Sequence, residues 1–251
     1  MQCRGRLGEG TRLSDAAHMA LPGWRAFGPG GSSLFAWEPP QGALPRTSLR
    51  IEDGQRIHWS SHLARLRSGA HKLGWDVAWL DGMEPEIEAW ISTTESAICR
   101  LQLFPAVVSV RLEAIPDLSP HFRLVAMPHP LGDIRGDSMA AHKGLLGAWD
   151  LRARNHAKAS VADDALLVWP DGSIAETTIA AIGLQLDGNL LMPPLEGRVS
   201  SITEAFELPL WAISLGLDVQ HRPIHLDEVS GGQLWCMNAV RGLWQAEIVQ
   251  L

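Results

Sequence analysis

The chain has 251 residues, 46% of them hydrophobic, with a formal charge of −7 and three cysteines. That is enough apolar material for one large domain or two modest ones, and the acidic balance excludes a general binder of nucleic acid or of anionic membrane surfaces. Cys3, Cys99 and Cys236 are odd in number and far apart, no apolar run approaches the roughly 18 residues that span a bilayer, and the N-terminus lacks the apolar stretch of a secretory signal, so free thiols in a reducing cytoplasm are expected.

Residues 1–33 are rich in Gly and Arg, with GPGGSS at 28–33, and read as a loosely packed extension ahead of a small α/β domain over 34–127. PPQGALP is a loop, and TSLRIEDGQRIHW is a hairpin that turns at Asp53-Gly54. SSHLARLRSGAHKLGW follows as a helix. Ser60 or Ser61 caps it, Leu63, Leu66, Ala70 and Leu73 line its buried face, and Gly74 ends it. A second helix is expected over 84–96. ICRLQLF, VVSVRLEAI and FRLVAMP then read as strands of one sheet that closes the domain near residue 127. PHPLGDIRGDSMA, 128–140, is an interdomain loop, and 141–251 form the second domain.

That second domain opens on the most informative stretch. Only three lysines, Lys72, Lys143 and Lys158, occur among 21 basic side chains. Lys72 and Lys158 suit solvated cations on or near helix ends. Lys143 is placed at a helix start, where the dipole disfavours a positive charge and favours the neutral amine that attacks a carbonyl carbon. ALLVW and SIAET pair around Pro170-Asp171-Gly172, which puts Ile174, Glu176 and Thr178 on one face. Glu176 is either solvated on an outward face or an inward acid that needs a cation such as a protonated ring nitrogen. Another hairpin turns at Asp187-Gly188-Asn189. Ser200 and Ser201 precede an apolar-periodic run, so a helix N-terminus lies here, whose free amides and dipole make an anion site or serve plain capping, and Pro209 should kink that helix. LWCMN is a strand. Pro223 between His221 and His225 argues against a helical metal pair, and no metal is expected.

Taken in this order, the blocks resemble the class IV (fold-type IV) pyridoxal-phosphate aminotransferases, from about residue 47 to the C-terminus. That family includes branched-chain and D-amino-acid aminotransferases and 4-amino-4-deoxychorismate lyases. The resemblance is carried by the HLxRL pattern of His62–Leu66, by Lys143 and Glu176 at 33 positions' separation, by the SSIT helix start and by NAVRG at 238–242. It implies an α/β (α+β) fold of two domains with pyridoxal 5′-phosphate in the cleft, and a homodimer acting on a small molecule. Lys143 would carry the cofactor, Glu176 would hold its pyridine nitrogen protonated, and Arg65 with Ser201, Ile202, Thr203, Asn238 and Ala239 would hold its phosphate. Thr47 or Ser48 would relay a proton, and Arg135 and Arg241 are candidates for a substrate carboxylate. Three departures stand out. No Tyr follows the Lys, Ala181 replaces a common Asn, and Glu204 stands where Arg is common. The short chain and the missing Tyr point to the lyase, which releases pyruvate and 4-aminobenzoate in folate biosynthesis. An amino-acid aminotransferase and a catalytically weak relative are the alternatives.

Overall fold

The structure is a computed structural model that describes residues 24–35, 42–116 and 121–250. Residues 1–23 of the expected extension, with Cys3, lie outside the described residues.

The first half is an antiparallel sheet of six strands: β1 (Trp24–Gly28), β2 (Gly31–Phe35), β3 (Arg46–Glu52), β4 (Gln55–Arg56), β5 (Ala97–Phe104) and β6 (Val107–Glu113), in the order β2-β1-β6-β5-β3-β4. Two helices, α1 (Trp59–Lys72) and α2 (Trp79–Ile91), cover one face. Alternation in β3 buries Thr47, Leu49 and Ile51, while Arg46, Ser48 and Arg50 look the other way. The buried set packs on Leu63 and Leu66 of α1 and on Leu80, Ile87 and Ile91 of α2.

Three expectations need correction here. Residues 24–33 are not a loose extension. WRAFG forms β1, pairs with both β2 and β6, and buries Trp24, Ala26 and Phe27. The first helix starts at Trp59, after His58 in a left-handed conformation, so Ser60 and Ser61 sit in its first turn and cap nothing. The second helix spans 79–91 rather than 84–96.

The second half is a curled eight-stranded sheet: β7 (Phe122–Pro128), β8 (Asp164–Val168), β9 (Ile174–Thr177), β10 (Ala181–Leu186), β11 (Asn189–Met192), β12 (Asp218–His221), β13 (Gln233–Asn238) and β14 (Gly242–Gln250). Its order is β12-β11-β10-β13-β14-β7-β8-β9. Against it lie α3 (Asp150–Ala159), α4 (Ile202–Phe206) and α5 (Leu208–Leu215). Pro209 opens α5 immediately after a break at Glu207, so the expected kink is a split into two short helices.

FRLVAMP, assigned above to the first sheet, belongs to the second. It is β7, parallel to both β8 and β14. Leu124 packs into the apolar cluster on one side of the sheet, and Val125 and Met127 into that on the other. A strand buried on both faces reads as an uninterrupted apolar run, which carries no sign of which sheet it joins. The last strand of the first sheet ends at Glu113 and the first of the second begins at Phe122, ahead of the 128–140 loop.

Candidate functional site

Lys143 does not start a helix, because α3 begins only at Asp150. It lies in a turn-rich stretch along the open edge of β3. The Leu44 N–H donates to the Gly144 carbonyl and the Arg46 N–H to the Lys143 carbonyl, each over 3.1 Å. Gly144 is obligatory there. Its φ is +96°, and a Cβ would stand 2.1 Å from the Leu44 oxygen. The Lys143 side chain is half-buried, and its amine is pushed down to about 7. Burial is the main cause; the charges of Arg65, Arg46 and Arg100 add to it, and Glu176 opposes it. The shift toward the neutral amine comes from desolvation and three guanidiniums rather than from a helix dipole. Lys72 and Lys158 are exposed.

Glu176 on β9 is half-buried and borders a small cavity of about 20 Å³ shared with His129, His142, Gly144 and Val199. Burial pushes its carboxyl up to about 7, against the charges of Arg198 and Lys143 and a hydrogen bond from the Val199 N–H. Such an acid favours a cationic partner over water. His129, stacked on Trp169, is held neutral by burial, with a pKa near 4.

The loop leading into α4 joins these groups to α1 of the first half. The Arg65 guanidinium donates to the Ser200 carbonyl. Ser201 caps α4, its hydroxyl accepting the Glu204 N–H at 3.3 Å. That leaves the first two amides of the helix, those of Ile202 and Thr203, for an outside acceptor. The Thr203 hydroxyl is fully buried and has no partner. Arg65 has its pKa lowered to about 10 by burial, opposed by Glu176. The unusual Glu204 is also explained. Arg198, only 2% exposed, grips it with two bonds of 2.7 and 2.8 Å and donates to the carbonyls of Pro193 and Pro194.

The remaining candidates divide. Thr47 and Ser48 point to opposite faces of β3. Thr47 is buried against His62, its hydroxyl 2.6 Å from Nδ1, whereas Ser48 accepts from Arg100 at 3.3 Å. His62 is held at about 3, mainly by burial, and its Nε2 is buried without a partner. Arg135 is bound to Asp133 at 2.5 Å and to Asp171 at 2.6 Å, and Arg241 lies over Phe122 and Trp244. Asn238 folds its own turn, accepting from the amides of Val240 and Arg241 and donating to the Ile179 carbonyl. The Ala239 carbonyl accepts from the Arg50 N–H at 3.1 Å, a second stitch between the halves. Ala181 is buried in an apolar cluster with Leu190, Met192, Leu208 and Met237. Among the described residues, no group of three or more metal-ligating side chains occurs, and no helix is long and apolar enough to cross a membrane.

Sequence reasoning missed Arg46, Arg100 and Arg198. Alternation in RTSLR already placed Arg46 opposite Leu49, but a lone Arg beside two hydroxyls gives no sign of a lysine nearly a hundred positions away. Nothing local announces that Arg198 meets Glu204.

This geometry can be set beside known proteins. The sequence model of the class IV aminotransferases matches residues 47–249. No curated protein matches by sequence. Solved structures share the fold at low identity. A fold IV-transaminase from Curtobacterium pusillum is 19% identical with a TM-score of 0.75, covering 90% of this chain and 91% of its own. The PLP-bound form of a hypothetical aminotransferase from Mycobacterium tuberculosis is 18% identical, TM-score 0.73, with 90% and 91% covered. 4-Amino-4-deoxychorismate lyase from Pseudomonas aeruginosa is 17% identical, TM-score 0.69, with 89% and 90% covered. With its fold-type IV architecture and a match that runs from β3 into β14, the chain belongs to the class IV aminotransferase family of enzymes.

Proposed function

We propose that this chain is a pyridoxal-phosphate-dependent lyase that converts 4-amino-4-deoxychorismate to 4-aminobenzoate and pyruvate. The observation that carries the reading is the Lys143 amine, held near neutrality between Glu176 and three guanidiniums with no hydroxyl in the GLLGAW segment beside it. The groups present fit the cofactor. The orphaned Thr203 hydroxyl, the Ile202 and Thr203 amides and Arg65 suit its phosphate, Glu176 suits its ring nitrogen, and Lys143 is the amine that would hold it covalently. When bound, pyridoxal phosphate supplies an electron sink for charge developing at the amine-bearing carbon. Glu176, ionised opposite a protonated ring nitrogen, would keep that sink strong. Lys143, as a free amine close to its own pKa, would take the proton from the amine-bearing carbon and return it to the departing oxygen, so that pyruvate leaves as its enol and the ring becomes aromatic. One base serves both the removal and the return of protons, so this chemistry needs no second hydroxyl at the position where transaminases usually carry Tyr.

The reading is tested by supplying the cofactor-loaded protein with 4-amino-4-deoxychorismate and following pyruvate through lactate dehydrogenase. A parallel arm offers branched-chain and D-amino acids with 2-oxoglutarate. Pyruvate release without amino transfer supports the lyase. Amino transfer alone replaces it with an aminotransferase. Neither, in a protein that holds the cofactor, leaves a weak relative.

A further inference from the structure

We propose that Arg198 is a positioning residue for Glu176, fixing its carboxylate through the neighbouring peptide and keeping it charged. The inference deepens the reading that Glu176 faces a ring nitrogen, and it rests on that reading.

Arg198 and Glu204 close residues 198–204 into a ring. Two bonds of 2.7 and 2.8 Å join the side chains, and both side chains are almost wholly buried. The guanidinium also donates to the Pro193 and Pro194 carbonyls at 2.7 and 2.9 Å, which pins the chain leading into the ring. Gly197 fixes that chain from the other side. Its φ is +77°, and a Cβ there would stand 2.9 Å from the Arg135 Cα and 3.0 Å from the Trp169 ring. The ring then touches the site from consecutive residues. The Val199 N–H donates to the Glu176 carboxylate, and the Ser200 carbonyl accepts from Arg65. The Ser201 hydroxyl accepts the Glu204 N–H, which returns the chain to the ion pair. Four charge-assisted bonds on one buried side chain therefore set the place of the peptide that holds Glu176.

The pair also has a direction. The Arg198 charge favours the ionised form of Glu176 and the Glu204 charge opposes it, and the Arg198 effect is the larger. The pair thus acts on Glu176 as a dipole with its positive end foremost. Burial alone would leave the carboxyl protonated, and a protonated acid cannot serve as the anion opposite a ring nitrogen. The other charged or titratable groups around Glu176 have different commitments. Lys143 is the reacting amine, and Arg65 is tied to the Ser200 carbonyl. His129 and His142, which share its cavity, are held toward their neutral forms by burial.

Breaking one ion pair from its two ends separates this role from packing. The Glu176 carboxyl is followed by NMR through a pH titration of the full chain without cofactor. Arg198→Met should move its titration upward by at least about half a pH unit, and Glu204→Gln should move it downward. A packing role alone would move both variants the same way, since each breaks the same pair. Arg198→Lys keeps the charge and loses the fork, so it should titrate close to the unaltered protein while giving up stability. If Arg198→Met does not fold, Arg198→Met with Glu204→Leu removes both charges and should still titrate higher. In the cofactor-loaded protein, pyridoxal phosphate labelled at its ring nitrogen gives a second reading. Its nitrogen signal should be that of a protonated ring in the unaltered protein and in Glu204→Gln, and should move toward neutral pyridine when Arg198 is replaced by Met. Shifts of the same sign from the two ends, or no rise when Arg198 is lost, overturn the proposal. Opposite shifts in a protein that binds no pyridoxal phosphate sink the proposed function and leave Arg198 acting on Glu176. Cofactor binding and pyruvate release with shifts of one sign do the reverse.

Discussion

The Arg46 N–H donates to the Lys143 carbonyl over 3.1 Å, so Lys143 is carried on the edge of the first sheet although the chain around it leads into α3 and the second. The amine is therefore positioned by both halves at once. A substitution that loosens this stitch should disable Lys143 without touching its side chain.

Gly144→Ala is that substitution. The new Cβ would meet the Leu44 oxygen at 2.1 Å, in a backbone conformation that L side chains rarely adopt. The protein should lose roughly 1–3 kcal/mol of stability, and borohydride fixation of the cofactor at Lys143 should slow sharply. An unchanged denaturation midpoint with normal fixation would show that the edge pairing is not needed.

The titration of Lys143 gives a second test. Its amine should lose its proton near pH 7 in the cofactor-free protein, measured as the pH dependence of its modification by an amine reagent. Arg65→Met should move that value upward, because the Arg65 charge lowers it, and Glu176→Gln should move it downward. The same shift governs stability. The folded pKa, about 7, lies below the ordinary 10.5, so between these values the unfolded chain binds more protons and stability rises with pH. The cost of burying the amine is absent above about 10.5 and fully developed below about 7. Lys143→Met should flatten this slope and stabilise the cofactor-free protein by roughly 0.5–2 kcal/mol near neutral pH.

Much of this is legible in the sequence wherever the chemistry is local. The turns at Asp53-Gly54 and Asp187-Gly188, the apolar stripe of α1, the Ser201 cap and the pairing of β8 with β9 depend on residues a few positions apart. What the sequence hides depends on partners distant along the chain. WRAFG becomes a strand by pairing with 108–111, and FRLVAMP changes sheets because its partners are β8 and β14. Lys143 stands out among the lysines in both sequence and structure, but the helix dipole is not the cause. Its environment is built by Arg46, Arg65 and Arg100, each brought in from the first half.

The Arg198–Glu204 pair predicts an asymmetry. Arg198→Met leaves Glu204 buried beside only the half-exposed His221, and should cost roughly 3–5 kcal/mol. Arg198→Met with Glu204→Leu removes both charges and should recover most of that loss. Chemical denaturation of the two variants decides it; equal losses would show that the cost comes from the contacts of Arg198 itself, including those to the Pro193 and Pro194 carbonyls, and not from stranding Glu204. Because the Arg198 charge lowers the Glu176 pKa, the double variant should still show Glu176 titrating higher than in the unaltered protein if its carboxyl signal is followed by NMR.

The assignment of Lys143 itself is tested by the adduct. Borohydride should fix pyridoxal phosphate irreversibly on Lys143, so that Lys143→Ala abolishes the mass increment while Lys72→Ala and Lys158→Ala, both at exposed positions, retain it. Glu176→Gln should keep the adduct and slow turnover. A neutral amide cannot hold the pyridine nitrogen protonated, which weakens the electron sink without removing the point of attachment. The two variants therefore fail differently, one in attachment and the other in chemistry. Peptide mapping that found the increment on Lys72 or Lys158 would overturn the assignment of the amine. Full turnover in Glu176→Gln would remove the carboxylate from the mechanism. No increment on any lysine would show that none of them holds the cofactor covalently and would favour a catalytically weak relative.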